Sequence, residues 1–372
     1  MTRALTAKLA GLALALCAVL LCITPTARPR AESLPQHLDD RTFWMLASEF
    51  SEPNGTFRSD NLVSNETVFQ YVIPTLQQTL GPVSAYIGVG PDQNFTYIAA
   101  VRPEIAFIVD IRRDNLLLHL LFKALFTLSS TRVDYLAMLV GRPVPAGLDA
   151  WRSATVDRIV AQVEAPPLDA RAIDALRAKT DEAIARIGVT LSREDRVTID
   201  RFHRRFIESG VGLQFQSAGR PPQSHYPAYR DLLLAATSTG LKANYLASEE
   251  AFQFVRGLQE RDLIVPVVGD LSGARALAAI ADVLTRKKLR LSALYASNVE
   301  FYLFSDGRFQ SFAVNLGRLP RTGNSVVIRS VFGRFGWPRG GSVSQLHDLT
   351  DMLDGVAKGR YRYYDELIND RR

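Results

Sequence analysis

Val83-Ser-Ala-Tyr-Ile-Gly-Val-Gly-Pro-Asp-Gln-Asn-Phe95 leads, ten residues on, into Ile105-Ala-Phe-Ile-Val-Asp110. The first run, Val83 to Val89, is short and apolar and ends in Gly88-Val89-Gly90. Phe95 to Val101 reads as a short helix. The second run is rich in branched and aromatic residues, as a buried strand requires. Strand, glycine turn, helix and strand thus follow one another over residues 83–110. A continuous apolar strand on each side of a helix predicts a parallel sheet covered on both faces. The fold class expected is α/β, doubly wound and mostly parallel.

Working outward, the strand signature resumes far downstream. Leu263-Ile-Val-Pro-Val-Val268 ends in Gly269-Asp270, and a helix follows over Ala274–Arg286. Leu291 to Phe304 and Ser325 to Val331 read as further strands. Between Asn115 and Arg261 the pattern is mainly helical: a strongly apolar Leu116–Val140, then charged amphipathic stretches at 169–187 and 193–208. A Gly/Pro/Ser-rich loop at Ser217–Pro227 and a helix at Ala247–Glu260 close that region. Upstream, a helical pattern starts near Asn65 and meets Pro74 at a kink or boundary. The division expected is 1–31 leader, 32–114 first half of the sheet domain, 115–261 helical insertion, 262–332 second half, and 333–372 a C-terminal loop and helix. That last helix is placed at Ser344–Val356, with Tyr361, Tyr363 and Tyr364 docking the tail.

Composition narrows the class further. The chain has 372 residues, 47% hydrophobic and 22% charged, which is the usage of a folded globular protein. The formal charge of +6 suggests nucleic acid until it is located. Residues 1–31 carry Arg3, Lys8, Arg28 and Arg30 and no acid, leaving 40 basic against 38 acidic residues beyond them. A near-balanced chain has no electrostatic footprint for nucleic acid. Arg3 and Lys8 precede an apolar stretch, Leu9–Ile23, with small residues after it, the pattern of a secretory signal. Cleavage after Ala27 or Ala31 and retention as an anchor are both open. Cys17 and Cys22, the two cysteines of the chain, fall inside the leader, where neither follows a good lipobox. Beyond it, disulfides and thiol chemistry are excluded. The expectation is an exported, cell-envelope protein whose membrane contact is limited to the N-terminal segment.

In a doubly wound sheet, ligands bind beyond the carboxyl ends of the strands, at the point where the strand order reverses. The residues of interest fall at such ends. Gly88 and Gly90 allow close backbone approach to a ligand. Asp110 can accept both hydroxyls of a ribose. Asp270 can accept from an adenine amino group. Asn298 and Glu300 lie at or near a fourth strand end. In this order the elements resemble a class I S-adenosylmethionine-dependent methyltransferase. There a glycine-rich turn underlies the amino acid part of the cofactor, and acids ending the second and third strands hold the ribose and the adenine. Leu316-Gly-Arg-Leu-Pro-Arg-Thr-Gly323, followed by Ser325-Val-Val-Ile-Arg329, resembles that family's entry into its fifth strand. The resemblance covers 65–115 and 262–332, about a third of the chain, and departs at the third glycine of the turn, replaced by Asp92.

The resemblance implies S-adenosylmethionine as cofactor, with Gly88, Gly90, Asp92, Asn94, Asp110 and Asp270 as its contacts. Asn298 and Glu300 would orient an unidentified acceptor. Each residue has a plainer alternative: Asp110 and Asp270 as helix caps, Asp92 and Asn94 in an Asx turn, Asn298 and Glu300 as strand-edge residues. The five histidines show no metal-ligand spacing, and His203 in its Arg-rich stretch reads as a solvated face. His225-Tyr226 and Tyr245 with Glu249-Glu250 border the insertion, where they would form either a lid or a polar surface loop. Neither a Gly-x-Ser-x-Gly elbow nor a Walker lysine motif occurs. An exported protein lacks an obvious supply of a cytoplasmic cofactor. The competing expectation is therefore a non-catalytic Rossmann-like scaffold whose helical insertion binds a protein partner, or which takes another small ligand.

Overall fold

Six strands form one sheet in the order β3-β2-β1-β4-β5-β6 in a computed structural model of the chain, which describes residues 36–370 apart from 82, 221–222 and 334–340. The strands are β1 (Ala85–Gly88), β2 (Ile105–Asp110), β3 (Ile264–Val268), β4 (Leu291–Ser297), β5 (Arg321–Phe332) and β6 (Ser342–Asp348). β1 to β5 are mutually parallel, and β6 runs antiparallel to β5, from Val326 opposite Asp348 to Phe332 opposite Ser342. The chain steps outward from β1 through β2 to β3, then returns to the other side of β1 for β4 and β5. The order therefore reverses between β1 and β4. β1 and β3 are buried throughout and β2 and β4 up to their last residues, which is why they read as unbroken apolar runs rather than alternating ones.

The connecting helices include α1 (Gln93–Val101), α2 (Arg113–Leu128), α3 (Glu249–Glu260), α4 (Ala276–Arg286) and α5 (Val299–Ser305). The stretch read as a helical insertion begins with α2, which packs on β2 and β3, and ends with α3, which packs on α1 and α2. Helices Ala170–Arg186 and Arg193–Ser209 pack on α2 as well. Enclosed in this way, α2 is buried from Asn115 to Phe126 and is apolar on nearly every side.

Several local expectations are corrected. Leu291–Phe304 is a strand only to Ser297; its second half is α5, because an apolar run of this length does not by itself distinguish strand from helix. Ser344–Val356 divides into the end of β6 and a helix starting at Leu349, with Asp348 capping its N-terminus by accepting from the Asp351 N–H. Pairing with β5 overrides the polar composition of 342–348. The boundary expected at Pro74 is found: it lies in the first turn of helix Ile73–Thr79, where its missing N–H costs nothing. His203 is buried and its Nε2 lies 3.1 Å from the Met138 carbonyl, because Phe202, His203 and Phe206 form the inner face of their helix. Residues 1–31, with the leader expectation, lie outside the described residues. Among the described residues no helix is long and apolar enough to cross a membrane.

Candidate functional site

The turn after β1 is stitched shut from within. Gly90 has φ +82°, and a Cβ on Gly88 would lie 1.9 Å from Asn94 Oδ1, so glycine is required at both positions. Asn94 donates through Nδ2 to the carbonyls of Val89, Gly90 and Pro91, and its Oδ1 accepts from Tyr86. Every residue from Ala85 to Ile98 is buried. Asp92 forms no Asx turn. Its Oδ2 accepts from Tyr229 at 2.6 Å and Tyr245 at 3.1 Å, and burial raises its pKa to about 6 against those hydrogen bonds. Tyr245, which the sequence left as either a lid or a surface-loop residue, is thus a buried wall of the glycine turn. His119, from α2, places Nε2 2.9 Å from the Gly90 carbonyl, and burial lowers its pKa to about 4.

Asp110 ends β2 but does not cap α2. Arg112 takes both of its oxygens, Nε at 3.1 Å and Nη2 at 3.0 Å, and donates its backbone N–H as well. The same guanidinium reaches the carbonyls of Ser59 and Asp60, tying the β2 end to the 59–61 segment. Asp270 accepts from the backbone and hydroxyl of Ser272 and from Arg308 at 2.7 Å. Glu52 lies alongside, its carboxylate accepting from the N–H groups of Asp270, Arg275 and Ala276 at the start of α4. Between these strand ends is a cleft of about 590 Å³, lined by Ile111, Asp270, Arg308, Glu52 and Thr56 among others. That is a volume typical of small-molecule sites.

The β4 end holds two different environments. Asn298 is half-buried at the start of α5. Glu300 is fully buried, with both oxygens held by Arg329 at 2.6 and 3.1 Å, so it faces β5 rather than a cleft. Arg329 also donates to His347 Nδ1 at 2.9 Å. Sequence reading did not single out Glu66, whose buried carboxylate accepts from Tyr295 at 2.7 Å, Ser297 at 2.5 Å, Gln93 at 3.2 Å and Ser330. Burial pushes this carboxyl up, while the four donors favour its charged form.

Backbone conformation points to the same edge. Five described non-glycine residues have positive φ. Arg102, Asp262 and Lys288 end helices, where the left-handed conformation is ordinary. Asn61 and Ser297, both at φ +50°, do not, and they flank the reversal point of the strand order.

Among the described residues, His347, Asp351 and Asp370 form one group with metal-ligand proximity. His347 Nδ1 accepts from Arg329, so in the neutral ring the proton is on Nε2, facing Asp351 at 3.6 Å. That leaves the ring no lone pair for an ion, and Arg360 already pairs with both aspartates.

A family model described as a domain of unknown function (DUF7790) matches residues 61–144 and 217–371. The match takes in well over half of the chain, and the chain belongs to that family. α2 and α3 fall inside the matched residues, while 145–216, with helices Val156–Glu164, Ala170–Arg186 and Arg193–Ser209, falls between them. No curated protein matches the chain.

Proposed function

We propose that this member of the DUF7790 family is a non-catalytic binding protein built on a Rossmann-like, doubly wound sheet, taking a nucleoside-type ligand in the cleft between the β2 and β3 ends. The observation that carries this reading is the cleft beyond the ends of two neighbouring strands, lined by Ile111 just after β2 and by Asp270 just after β3. Ile111 offers an apolar wall to a base, Asp270 an acceptor for its amino group, and Asp110 an acceptor for a ribose diol in exchange for Arg112. S-adenosylmethionine is the ligand of that shape implied by the resemblance of the sequence. Its methionine part would need the space over Gly88–Gly90, which Asn94, Tyr86 and His119 occupy. The filled turn, and a Glu300 engaged by Arg329, support binding without methyl transfer. The leader pattern supports a cell-envelope location.

A second reading, an S-adenosylmethionine-dependent methyltransferase, is favoured by the strand order, in which the reversal lies between β1 and β4. Calorimetric titration of the full-length chain with S-adenosylmethionine, its demethylated product, adenosine and NAD separates the two. Adenosine and S-adenosylmethionine are expected to bind about equally, each weakened by about 1–3 kcal/mol in Asp110→Ala. S-adenosylmethionine binding about a hundredfold tighter than adenosine would seat the methionine part and replace the first reading by the second. No binding by any nucleoside to a folded chain would overturn both.

A further inference from the structure

Buried polar atoms without partners are rare in folded proteins, because each has lost its bonds to water and gained none in return. Four of them lie on three side chains around the start of α2: Nδ1 of His119, Nδ2 and Oδ1 of Asn115, and Oγ of Ser59. His119 and Asn115 are each 2% exposed and Ser59 8%. Asn115 and His119 are one helical turn apart and share a face of α2. His119 reaches the Gly90 carbonyl, and the Ser59 carbonyl is held by Arg112, the residue immediately before α2. Asn61, two residues after Ser59 and strained at φ +50°, brings Nδ2 to 3.4 Å from where a Cβ on Gly90 would lie.

The hydrogen-bonding character of these atoms is specific. A carbonyl only accepts, so Nε2 of His119 carries the proton facing Gly90, and burial keeps the ring neutral. Nδ1 is therefore a bare lone pair that needs a donor. The Asn115 amide offers donors and an acceptor, and the Ser59 hydroxyl offers both. No group in the set is charged, and the adjacent Asp110 is neutralised by Arg112. Asp60, Asn61, Asp110 and Ile111 are only half-buried, which gives solvent an approach. Buried neutral groups of mixed donor and acceptor character match hydroxyls rather than phosphate, carboxylate or a cation.

We propose that Asn115, His119 and Ser59 form a binding site for the hydroxyl groups of a neutral polyol, either a free sugar or the sugar portion of a nucleoside. His119 Nδ1 accepts from one hydroxyl, and the Asn115 amide exchanges hydrogen bonds with its neighbour. The assignment stands on the unpartnered atoms and does not depend on the cleft beside Asp270.

The test is saturation-transfer NMR on the full-length chain with D-ribose, myo-inositol and adenosine at millimolar concentration, together with the ¹⁵N shift of His119 Nδ1. The variants are Asn115→Leu and His119→Phe. Asn115→Leu replaces unpartnered polar atoms by apolar ones of similar shape and is expected to fold with stability near the wild type, whereas His119→Phe also gives up the bond to the Gly90 carbonyl and is expected to fold with a somewhat lower midpoint. Saturable binding that moves the His119 Nδ1 resonance, and that weakens at least about tenfold in both variants, is the expected result. Binding of adenosine alone would identify a nucleoside as the source, and binding of ribose or inositol a free sugar. No saturable binding of any probe, or binding untouched by both variants, would overturn the proposal and leave these atoms to water. Asp270→Asn is expected to leave sugar binding and the Nδ1 shift unchanged while weakening adenosine in the cleft, so the failure of one site is distinguishable from failure of the other.

Discussion

Asp92 and His119 both help hold the turn after β1, and their titrations oppose each other. Burial raises the Asp92 pKa from 3.8 to about 6. Between those values the folded chain keeps a proton that the unfolded chain has released. Stability contributed by Asp92 is thus full below pH 3.8 and is lost as pH rises through about 6. At 1.36 kcal/mol per pH unit, the loss is about 3 kcal/mol. His119 runs the other way. Its pKa falls from 6.5 to about 4, so unfolding takes up a proton across that window. Stability from His119 therefore rises with pH by about 3 kcal/mol before levelling above 6.5. The two slopes nearly cancel in the wild type. D92N keeps an oxygen to accept from Tyr229 and Tyr245 and removes one slope. In urea titrations from about pH 4 to about pH 7, the stability of D92N relative to wild type is expected to grow by about 3 kcal/mol. Glu66, His203 and the other titrating groups drop out of that difference. A difference flat within about 0.5 kcal/mol would refute the burial of a protonated Asp92 and the cancellation argued from it.

Two further variants test the packing around the site. Glu300→Gln leaves the Arg329 charge buried without its partner, so a loss of about 3–5 kcal/mol is expected in urea unfolding; an unchanged midpoint would mean the guanidinium is solvated. Gly88→Ala drives a Cβ into Asn94 and Tyr86 and is expected to cost about 1–3 kcal/mol. Wild-type stability there would show that the turn yields readily, which would also reopen the space over it.

Much of the sheet is legible in the sequence because its buried strands are short apolar runs with glycine or acid at their ends. Ile105–Asp110 and Leu263–Val268 announce themselves in this way. β6 does not: Ser342-Val-Ser-Gln-Leu-His-Asp348 is polar, and only pairing with β5 makes it a strand. The length of Leu291–Phe304 conceals a switch from strand to helix at Ser297, a backbone event with no residue-type signature. Strand-end logic located Asp110 and Asp270, but nothing local foretold that Arg112 would take both Asp110 oxygens. Glu66 escaped notice because its partners Gln93, Tyr295, Ser297 and Ser330 come from three distant segments. Asn115 and His119 were hidden differently, as two polar residues in a leucine-rich helix that only an unmet hydrogen bond brings out.

The carboxylate of Glu66 also sets a timetable for synthesis. Its hydroxyl donor Ser330 lies 264 residues downstream, and Glu52 waits for Ala276, 224 residues on. Joining ends that far apart costs roughly 5 kcal/mol in chain entropy before any contact is made. The full set of partners for the 52–66 segment therefore exists only once β5 has been made. Nearly the whole polypeptide must be present first. A product truncated before β5 would lack the Ser330 donor and leave Glu66 with Gln93, Tyr295 and Ser297 alone.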